Sequence, residues 1–410
     1  MALIDLTDWM NEHTGQNIIW YVKRLAANDT LASGAHQAGA YIPRDFILDI
    51  FPSMNNPEAE NPDKWFDLYI DSHGGDARQV RAVWYNNKIR GKGTRNEARV
   101  TNFGGSESAL LDPESTGSLA TFAFHLGQGG ETFACHVWVC DHEVEADLIE
   151  ERIGTLEPGQ YKIWSVDEHD IFSLKVKHTS CWLEPSEIPP TWIQKFPTGA
   201  EIIQKTMELR PSHGIAIDSR LMKRRDCEFQ IFRSLEQAVE LPRILEGFDT
   251  IDAFISRAQS ILQRRKARSG RSLELHIKEI LLEEQLQENI DFQHQPESEP
   301  GKKPDYLFPC EAAYKDKNYP EKNLRMLAVK TTCKDRWRQI LNEAERIEQK
   351  HLLTLQEGVS ENQFKEMINA GVQLVVPEPV VSAYPKSIQP HLQTLESFIG
   401  DVRILNIGRS

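Results

Sequence analysis

The run Lys303-Pro-Asp-Tyr-Leu-Phe-Pro309, followed by Arg325-Met-Leu-Ala-Val-Lys330, decides the fold of the C-terminal part of the chain. Asp305 follows a proline at a strand start, where the fixed proline dihedral presents its side chain at the edge of a sheet. Alternation along the second run places Lys330 on one face of a strand. A lysine inside a strand is unusual because a buried ammonium group is costly without a partner. We therefore predict that Lys330 is functional and lies near Asp305.

The order and spacing of Asp305 and Lys330 resemble the PD-(D/E)xK motif of metal-dependent nucleases. In that chemistry a carboxylate holds a hard divalent cation, and an ammonium group orients water and stabilises charge on the phosphate. The usual motif has an acid two residues before the lysine, where this chain has Ala328. A second carboxylate must therefore come from elsewhere.

Glu343 is the first candidate for the second carboxylate. The sequence predicts a helix from Lys334 to about Ile347 whose buried side includes Ile340. Glu343 lies about 60° from Ile340 on a 3.6-residue wheel, at the edge of this side. A solvated glutamate is the alternative interpretation. Glu274 is a weaker candidate, and Tyr314 could be a nucleophile or, more commonly, a packing residue.

The composition indicates a globular protein with two domains. The chain has 410 residues, of which 40% are hydrophobic and 26% are charged, and this length exceeds one ordinary core. No apolar run approaches the roughly 20 residues of a membrane span, and acids stand near Met1 where a signal peptide would carry Lys or Arg. We expect a cytoplasmic protein without a membrane partner.

The six cysteines predict reduced thiols, because they are scattered and show no CxxC spacing. Cys135, His136, Cys140 and His142 lie close enough in sequence to suggest zinc. However, residues 132–140 read as one strand, which would turn the two cysteines to opposite faces of a sheet. We therefore favour core cysteines over a zinc site.

The formal net charge of −14, taken alone, is unfavourable for binding a nucleic acid. The basic residues are, however, clustered along the chain. They concentrate at Lys223–Arg225, Arg264–Arg271 and Lys88–Arg95. Local positive grooves on an acidic body would keep a site for DNA while limiting indiscriminate binding. A solvated charged surface is the alternative for any one cluster.

The chain organisation predicts a β domain over residues 1–178, a linker over 179–192 and an α/β nuclease domain over 193–410. The first part shows short apolar or alternating runs, typical of a barrel or sandwich, with helices predicted at 43–51 and 117–126. The last part predicts helices at 251–264 and 273–286, then a hairpin, a helix and further strands.

Four segments carry a resemblance to a known family. They are Lys302–Pro309, Asn323–Ala344, His351–Ser360 and Tyr21–Thr30, and they resemble the EcoRII family of restriction endonucleases. The resemblance covers essentially the whole chain. In that family the second acid of the motif lies on the helix after the lysine, which supports Glu343.

The resemblance implies a homodimeric, Mg²⁺-dependent type II restriction endonuclease of the bacterial cytoplasm. It would cut double-stranded DNA at CCWGG, where W is A or T, before the first C, and a cognate cytosine methyltransferase would act on the same site. It also implies an N-terminal B3-like pseudobarrel, the effector domain, that binds further copies of the site and relieves autoinhibition of a C-terminal PD-(D/E)xK domain.

The resemblance also implies roles for individual residues. The catalytic set would be Glu274, Asp305, Lys330 and Glu343, with Asp305, Glu343 and the Val329 carbonyl as metal ligands. Contacts to the target DNA in the catalytic domain, where the central base pair would be flipped out, would come from Arg225, Lys266 and Lys334. Effector contacts would come from Lys23, His36, Tyr41, Arg81, Lys92, Arg95, Glu97 and Arg99.

Three other functions are open at this point. The chain could be a nuclease of the same fold with a related target such as CCNGG. It could be a sequence-specific DNA-binding protein with an inactive nuclease remnant. It could be a structural protein with accidental motifs, which the match over both domains disfavours.

Overall fold

Seven strands of the N-terminal half form one mixed sheet in the order β4-β3-β2-β6-β5-β1-β7. All neighbours pair antiparallel except β2 and β6, which are parallel. The strands are β1 (Ile18–Arg24), β2 (Asp63–Ile70), β3 (Arg78–Tyr85), β4 (Glu97–Thr101), β5 (Leu119–Leu126), β6 (Thr132–Val139) and β7 (Tyr161–Ser165). Among the described residues of this half, three α-helices accompany the strands: α1 (Leu3–Glu12), α2 (Arg44–Ile50) and α3 (Glu143–Ile153).

The helix predicted at 117–126 is wrong, because this segment is the strand β5, hydrogen-bonded to β1 and β6. Ala120, Phe122 and Phe124 face one apolar cluster, whereas Leu119 and Ala123 face a second cluster on the other side of the sheet. Since both faces are buried, the strand lacks the apolar-polar alternation that marks a half-exposed strand. The predicted helix at 43–51 is confirmed as α2.

Strand β6 separates the cysteines as predicted. Cys135 lies in the cluster that contains Phe122, and Cys140 lies in the cluster that contains Ala123. Both thiols are buried and unoxidised. The two cysteines therefore act as small core residues on opposite sides of the sheet.

The C-terminal half contains a second, five-stranded sheet in the order β12-β11-β10-β9-β8. Strands β10, β11 and β12 are parallel, while β9 pairs antiparallel with β10 and β8. The strands are β8 (Gln293–His294), β9 (Tyr306–Phe308), β10 (Arg325–Lys330), β11 (Lys350–Thr354) and β12 (Val372–Val375). The helices are α4 (Pro190–Gln194), α5 (Gly199–Leu209), α6 (Ile217–Glu246), α7 (Ile251–Glu283), α8 (Glu311–Lys315), α9 (Glu361–Asn369), α10 (Glu378–Val381) and α11 (Leu395–Ile407). Helix α7, helix α11 and this sheet share an apolar core.

Two helical predictions in this half need correction. The segments predicted at 251–264 and 273–286 belong to one continuous helix, α7, that runs through Ser269 and Gly270 and ends at Glu283. Side chains on both sides of the glycine, Arg268 and Ser272, bind Glu228 of α6, and this packing outweighs the roughly 1 kcal/mol that glycine costs in a helix.

The helix predicted from Lys334 to Ile347 is instead a 3₁₀ helix over Arg336–Asn342. It ends because Glu343 is extended and Ala344 has a left-handed φ of 48°. The Ala344 amide donates to Glu299, and its carbonyl accepts from the Lys350 ammonium. These partners lie outside the helix and replace the hydrogen bonds that would continue it.

The computed structural model describes residues 3–34, 39–74, 77–165, 180–212 and 214–407. They divide into two compact units, described separately below. The first unit holds the described residues up to 165 with 356–364 and 383–388, and the second holds 180–355, 365–382 and 389–407. The run that begins at Ile171, one of the short apolar runs on which the predicted β domain rests, lies outside the described residues. Within the described ranges, no helix has the length and apolarity to cross a membrane.

The segment predicted as a linker contributes to a helical cluster of the second unit. Leu183 and Ile188 are buried there against α6. Cys181 and Cys227, 46 residues apart, form a disulfide, which corrects the prediction of six reduced thiols. The pairing joins two segments distant in sequence, so cysteine spacing alone did not indicate it.

Candidate active site

Asp305 and Lys330 meet at one edge of the second sheet. Asp305 directly precedes β9, and the antiparallel register sets Tyr306 opposite Leu327 of β10. One carboxylate oxygen of Asp305, Oδ2, accepts a hydrogen bond from the Val329 amide at 2.7 Å. The same oxygen lies 3.0 Å from Lys330 Nζ. The hairpin therefore brings together the two residues that the sequence singled out.

The position of Lys330 follows from the parallel arrangement of its neighbours. Residues 326–329 of β10 are buried, whereas Lys330 is the last residue of the strand and is partly exposed. It pairs with Thr354, the last residue of β11. The ammonium group is thus held by a buried carboxylate on one side while it remains accessible from solvent.

Two further carboxylates act on this pair. Glu274 of α7 is nearly buried, and its Oε2 accepts hydrogen bonds from Gln295 at 3.0 Å and from His294 at 3.3 Å. Glu343 follows the 3₁₀ helix and is partly buried. Both carboxylates interact electrostatically with Asp305 and Lys330. All four predicted catalytic residues therefore surround one region of the second unit.

Burial and mutual repulsion set the protonation of the three acids. Burial, followed by the charge of Asp305, raises the pKa of Glu343 to about 7. Burial also raises the pKa of Asp305, and Glu274 adds to this effect while Lys330 opposes it. Burial tends to raise the pKa of Glu274 as well. Hydrogen bonds from His294 and Gln295 outweigh this effect, and the pKa of Glu274 is lowered. Three carboxyl groups thus act on one ammonium group, which favours the protonated form of Glu343 without metal and suits a divalent cation with oxygen ligands.

A support network that the sequence analysis missed holds the turn after Glu343. Glu299 accepts hydrogen bonds from the Glu345 amide at 2.9 Å and from the hydroxyl of buried Tyr314. Lys350, the buried first residue of β11, donates to the Ala344 carbonyl at 2.6 Å. Lys350, like Lys330, is a lysine within an apolar strand, which is the sequence feature that marks it. Tyr314 occupies a packing and hydrogen-bonding position.

The three predicted DNA-contact residues of the second unit have different surroundings. Arg225 of α6 is buried, donates to Ser272 of α7 and lies 3.7 Å from Glu228. Lys266 on α7 is exposed, and Lys334 is partly buried just after β10. Of the three, Lys334 is the nearest in sequence to the Asp305 and Lys330 pair.

The basic cluster at 264–271 is largely paired with acids of α6. Arg264 lies 2.9 Å from Glu240, Arg265 lies 2.7 Å from Glu236, and Arg268 lies 2.7 Å from Glu228. The three glutamates are buried. These ion pairs form a ladder between two antiparallel helices, so most of this cluster serves the interior of the unit.

Five of the predicted effector residues lie around β3 and β4 of the first unit. Arg99 and Arg95 each form an ion pair with Glu97, at 3.2 and 3.1 Å. Arg81 of β3 lies on the same sheet face as Arg99, because Val83 and Arg99 are opposite each other in the register. Tyr41, Glu97 and Arg99 line a cavity of about 670 Å³. The first unit therefore presents an exposed, paired set of charges beside a cavity.

The remaining predicted effector residues are Lys23, Lys92 and His36. Lys23 is buried and lies 2.5 Å from Asp29, whose other oxygen accepts from the Tyr41 amide. Lys92 is exposed in the turn before β4. His36 lies outside the described residues.

Comparison with known proteins identifies both halves of the chain. A family model described as "EcoRII C terminal" matches residues 232–399, and one described as "Restriction endonuclease EcoRII, N-terminal" matches residues 14–168. Two solved structures, metal-depleted Ecl18kI with uncleaved, modified DNA and with uncleaved DNA, match at TM-scores of 0.43 and 0.39 with 17% and 21% identity. The matched regions cover 55% and 56% of this chain, and 86% and 87% of the two Ecl18kI chains.

A full-length relative decides the family. The type II restriction enzyme EcoRII of Escherichia coli is 41% identical to this chain over 401 residues, which is 96% of each protein. Its similarity extends through both family-model matches and includes the Asp305 and Lys330 hairpin. The chain belongs to the EcoRII family of type II restriction endonucleases.

Proposed function

We propose that this protein cuts double-stranded DNA at CCWGG, before the first C, in a Mg²⁺-dependent reaction. The observation that carries the proposal is the Lys330 ammonium 3.0 Å from Asp305, with Glu343 and Glu274 acting on the same pair. The three carboxyl groups beside one ammonium group support a hard divalent cation there. A related target such as CCNGG and an inactive DNA-binding protein are the alternative outcomes of the test.

Each residue of the site has a proposed role in the hydrolysis. Asp305 and Glu343, with the Val329 carbonyl, would hold Mg²⁺, which when bound stabilises the charge developing on the phosphate. Lys330 orients the attacking water for in-line displacement, and the bond to the 3′ oxygen breaks. The products are a 5′-phosphate and a 3′-hydroxyl. Glu274, held by His294 and Gln295, positions Lys330 through its charge.

Recognition of the target would involve Lys334, Lys266 and Arg225. Lysine and arginine can donate to O6 and N7 of guanine in the major groove. Extrusion of the central base pair would explain tolerance of A or T, because an extruded base is not read by groove contacts. Arg225 is buried and donates to Ser272, so its proposed role is to hold α6 against α7 and thereby to position the surface of these helices that would contact DNA.

The first unit would act as a B3-like pseudobarrel that binds further CCWGG sites and thereby relieves autoinhibition. Its exposed charges at Arg81, Arg95, Glu97 and Arg99 support a DNA-facing surface. Lys23, Tyr41 and Lys92 would extend this surface, and we retain His36 as a proposed contact. A cognate cytosine methyltransferase would protect the same sequence in the host.

We also propose a homodimer, since two strands must be cut symmetrically. Exposed apolar side chains lie where α6 ends and α7 begins, and Leu245 and Ile251 are 77% and 78% exposed. Such a patch is typical of an interaction surface. Sedimentation of a Leu245→Asp variant tests this, with Ile290→Asp, an exposed apolar residue elsewhere in the second unit, as control. An unchanged dimer in Leu245→Asp would remove the patch from the interface.

Cleavage of a multi-site plasmid tests the target and the reaction together. Incubation with Mg²⁺ should cut CCWGG and spare a CCSGG plasmid, where S is G or C, and EDTA should stop the reaction. Mapping the ends gives the cut position. Cutting of both plasmids would support CCNGG, and binding without cutting would support an inactive DNA-binding protein.

Activation is tested on a plasmid with one CCWGG site. Slow cutting that accelerates when a CCWGG duplex is added supports an effector site, and a CCSGG duplex is the matched control. Equal rates with and without the added duplex would overturn the effector proposal while leaving the nuclease proposal intact.

A further inference from the structure

Three histidines of the first unit converge although they are distant in sequence. His13 directly follows α1, His125 lies on β5 and His136 lies on β6. One ligand nitrogen from each lies within 4.8 Å of the others, and among the residues that the structure describes this is the group of three that could hold a metal ion. His13 is buried and the other two are partly buried.

The register of the sheet explains the convergence. His125 is opposite Ala134 and His136 is opposite Ala123, so the two histidines are diagonal neighbours on one face of the β5–β6 pair. The end of α1 packs on this face and brings His13 Nδ1 within 3.0 Å of His125 Nε2. The positions are therefore set by three separate backbone elements.

A carboxylate stands behind the histidines. Asp71 Oδ2 lies 3.0 Å from His136 Nδ1 and accepts from the Trp9 indole at 2.6 Å. The same oxygen lies 3.8 Å from His13 Nε2. A carboxylate bound to one ring nitrogen fixes the tautomer and leaves the other ring nitrogen free to bind a metal, as in many metal sites. Because Asp71 binds Nδ1 of His136, Nε2 is the nitrogen of His136 that can bind a metal.

We propose that His13, His125 and His136 bind one transition-metal dication of the Zn²⁺ class, with Asp71 as the supporting carboxylate and water as fourth ligand. Imidazole nitrogens suit Zn²⁺, whereas Mg²⁺ prefers oxygen ligands. Zinc bonds of about 2.0–2.1 Å in a tetrahedron place nitrogens roughly 3.3 Å apart, so metal binding would require the three side chains, whose nitrogens lie within 4.8 Å of one another, to rotate towards one point. This site is separate from the nuclease residues, all of which lie in the second unit.

The competing interpretation is a metal-free ring cluster. His136 stacks on Tyr69 with ring centroids 4.5 Å apart, and His13 stacks on His136 at 4.3 Å. Stacking and hydrogen bonds could satisfy the rings alone. Three imidazole nitrogens within 4.8 Å of one another, with a carboxylate bound to one of the rings, however, supply three ligands and a supporting residue, a combination that packing alone does not require. Binding of a metal would tie α1 to the sheet and stabilise the first unit.

Cobalt absorption distinguishes the two interpretations. The full-length protein is treated with EDTA, dialysed and titrated with Co²⁺ in the presence of excess Mg²⁺. A tetrahedral nitrogen site should give intense visible bands that saturate at one equivalent, whereas six-coordinate Co²⁺ on carboxylates gives weak bands. Added Zn²⁺ should displace the cobalt and abolish the bands. Absence of intense bands at one equivalent would overturn the proposal.

Matched variants assign the ligands. His125→Gln and His136→Gln should each weaken Co²⁺ binding at least tenfold, and Asp71→Asn should weaken it with the bands retained at high Co²⁺. His73→Gln is the control, because His73 lies on the same turn as Asp71 but faces Asp141 at 3.2 Å. Circular dichroism verifies the fold of each variant. Unchanged binding in both histidine variants, or an equal loss in His73→Gln, would refute the assignment.

Discussion

The two units hold their functional charges in opposite ways. In the second unit, Asp305 and Lys330 meet at a buried strand edge, and Glu343 and Glu274 act on the same pair. In the first unit, Arg95, Glu97 and Arg99 pair along an exposed strand edge. Charges in a low-dielectric site influence one another strongly, whereas exposed charges are screened by water and salt.

This difference predicts how each unit tolerates substitution. A group of buried charged residues depends on every member, because removal of one leaves the charge of the others uncompensated. On an exposed surface the contacts are independent, so the loss of one side chain removes only the contact of that side chain. Catalysis should therefore fail sharply and activation should weaken gradually.

The largest effect is expected for Lys330→Ala, which removes the group that orients water. Cleavage of CCWGG DNA should fall by at least about 10³-fold, within the range for loss of a positioned catalytic group. Gel-shift binding of the same DNA should persist. Lys322→Ala, an exposed lysine before β10, is the control and should cut normally. Retained cleavage by Lys330→Ala would remove the lysine from the mechanism.

A smaller effect is expected from the pH dependence of Glu343. Because its pKa in the folded protein is raised to about 7 from the ordinary 4.5, the folded protein holds this proton more tightly than the unfolded chain. Stability of the metal-free protein from this group should therefore fall as the pH rises between about 4.5 and 7. Above pH 7 the ionised carboxylate is available to Mg²⁺, so Mg²⁺ should raise the melting temperature more at pH 8 than at pH 6.

Glu343→Gln isolates this contribution. The variant should lose the pH-dependent part of the Mg²⁺ stabilisation and should be less sensitive to pH without metal. Differential scanning calorimetry at the two pH values measures both effects. Glu345→Gln, whose side chain is exposed, is the neighbouring control. An identical Mg²⁺ response in wild type and Glu343→Gln would exclude Glu343 as a ligand.

A still smaller effect is expected from Arg99→Ala on the exposed surface. Loss of one base or phosphate contact is worth about 1–3 kcal/mol, so activation by an added CCWGG duplex should weaken about tenfold in apparent affinity. The dependence of the cleavage rate on duplex concentration measures this. Arg44→Ala is the control, since Arg44 is exposed in the same unit and pairs with its neighbour Asp45. A complete loss would contradict the distributed surface.

The smallest effect is expected from Tyr314→Phe. Its hydroxyl donates to Glu299 and accepts from the Arg346 amide at 3.1 Å, so the variant should lose about 1 kcal/mol of stability. Cleavage should stay within a few fold of wild type, because the tyrosine supports the turn after Glu343 only indirectly. Urea denaturation and single-turnover cleavage test both values, and abolished cleavage would favour a nucleophilic tyrosine.

The sequence predicted those features that depend on local pattern. The hairpin of Asp305 and Lys330 is one, since alternation and a proline set it locally. Strand β5 was mistaken for a helix because burial on both faces removes the alternation. The disulfide of Cys181 and Cys227 depends on a contact between segments 46 residues apart, which no local pattern encodes.

The candidate site shows the same division. Lys330 was found because a strand lysine is conspicuous, and Lys350 was missed although the same argument applied to it. The sequence predicts that Glu343 lies on a helix, but the helix ends at Asn342, because the Ala344 amide donates to Glu299 and the Ala344 carbonyl accepts from Lys350. The sequence alone does not divide the basic clusters into DNA-facing and internal residues, because the acids of α6 that pair with Arg264–Arg268 are distant in sequence.

The ladder of ion pairs between α6 and α7 stabilises the placement of a helix that also carries an active-site residue, Glu274. Sliding α7 by one turn, about 5.4 Å, would bring Arg268 out of line with Glu228 and towards the arginines of α6. A buried charge that loses its partner costs roughly 3–5 kcal/mol, so each broken pair disfavours a shifted register of the two helices. Glu274 lies six residues beyond Arg268 on the same helix. The ion pairs therefore help to hold the part of α7 that carries Glu274, whose charge acts on Asp305.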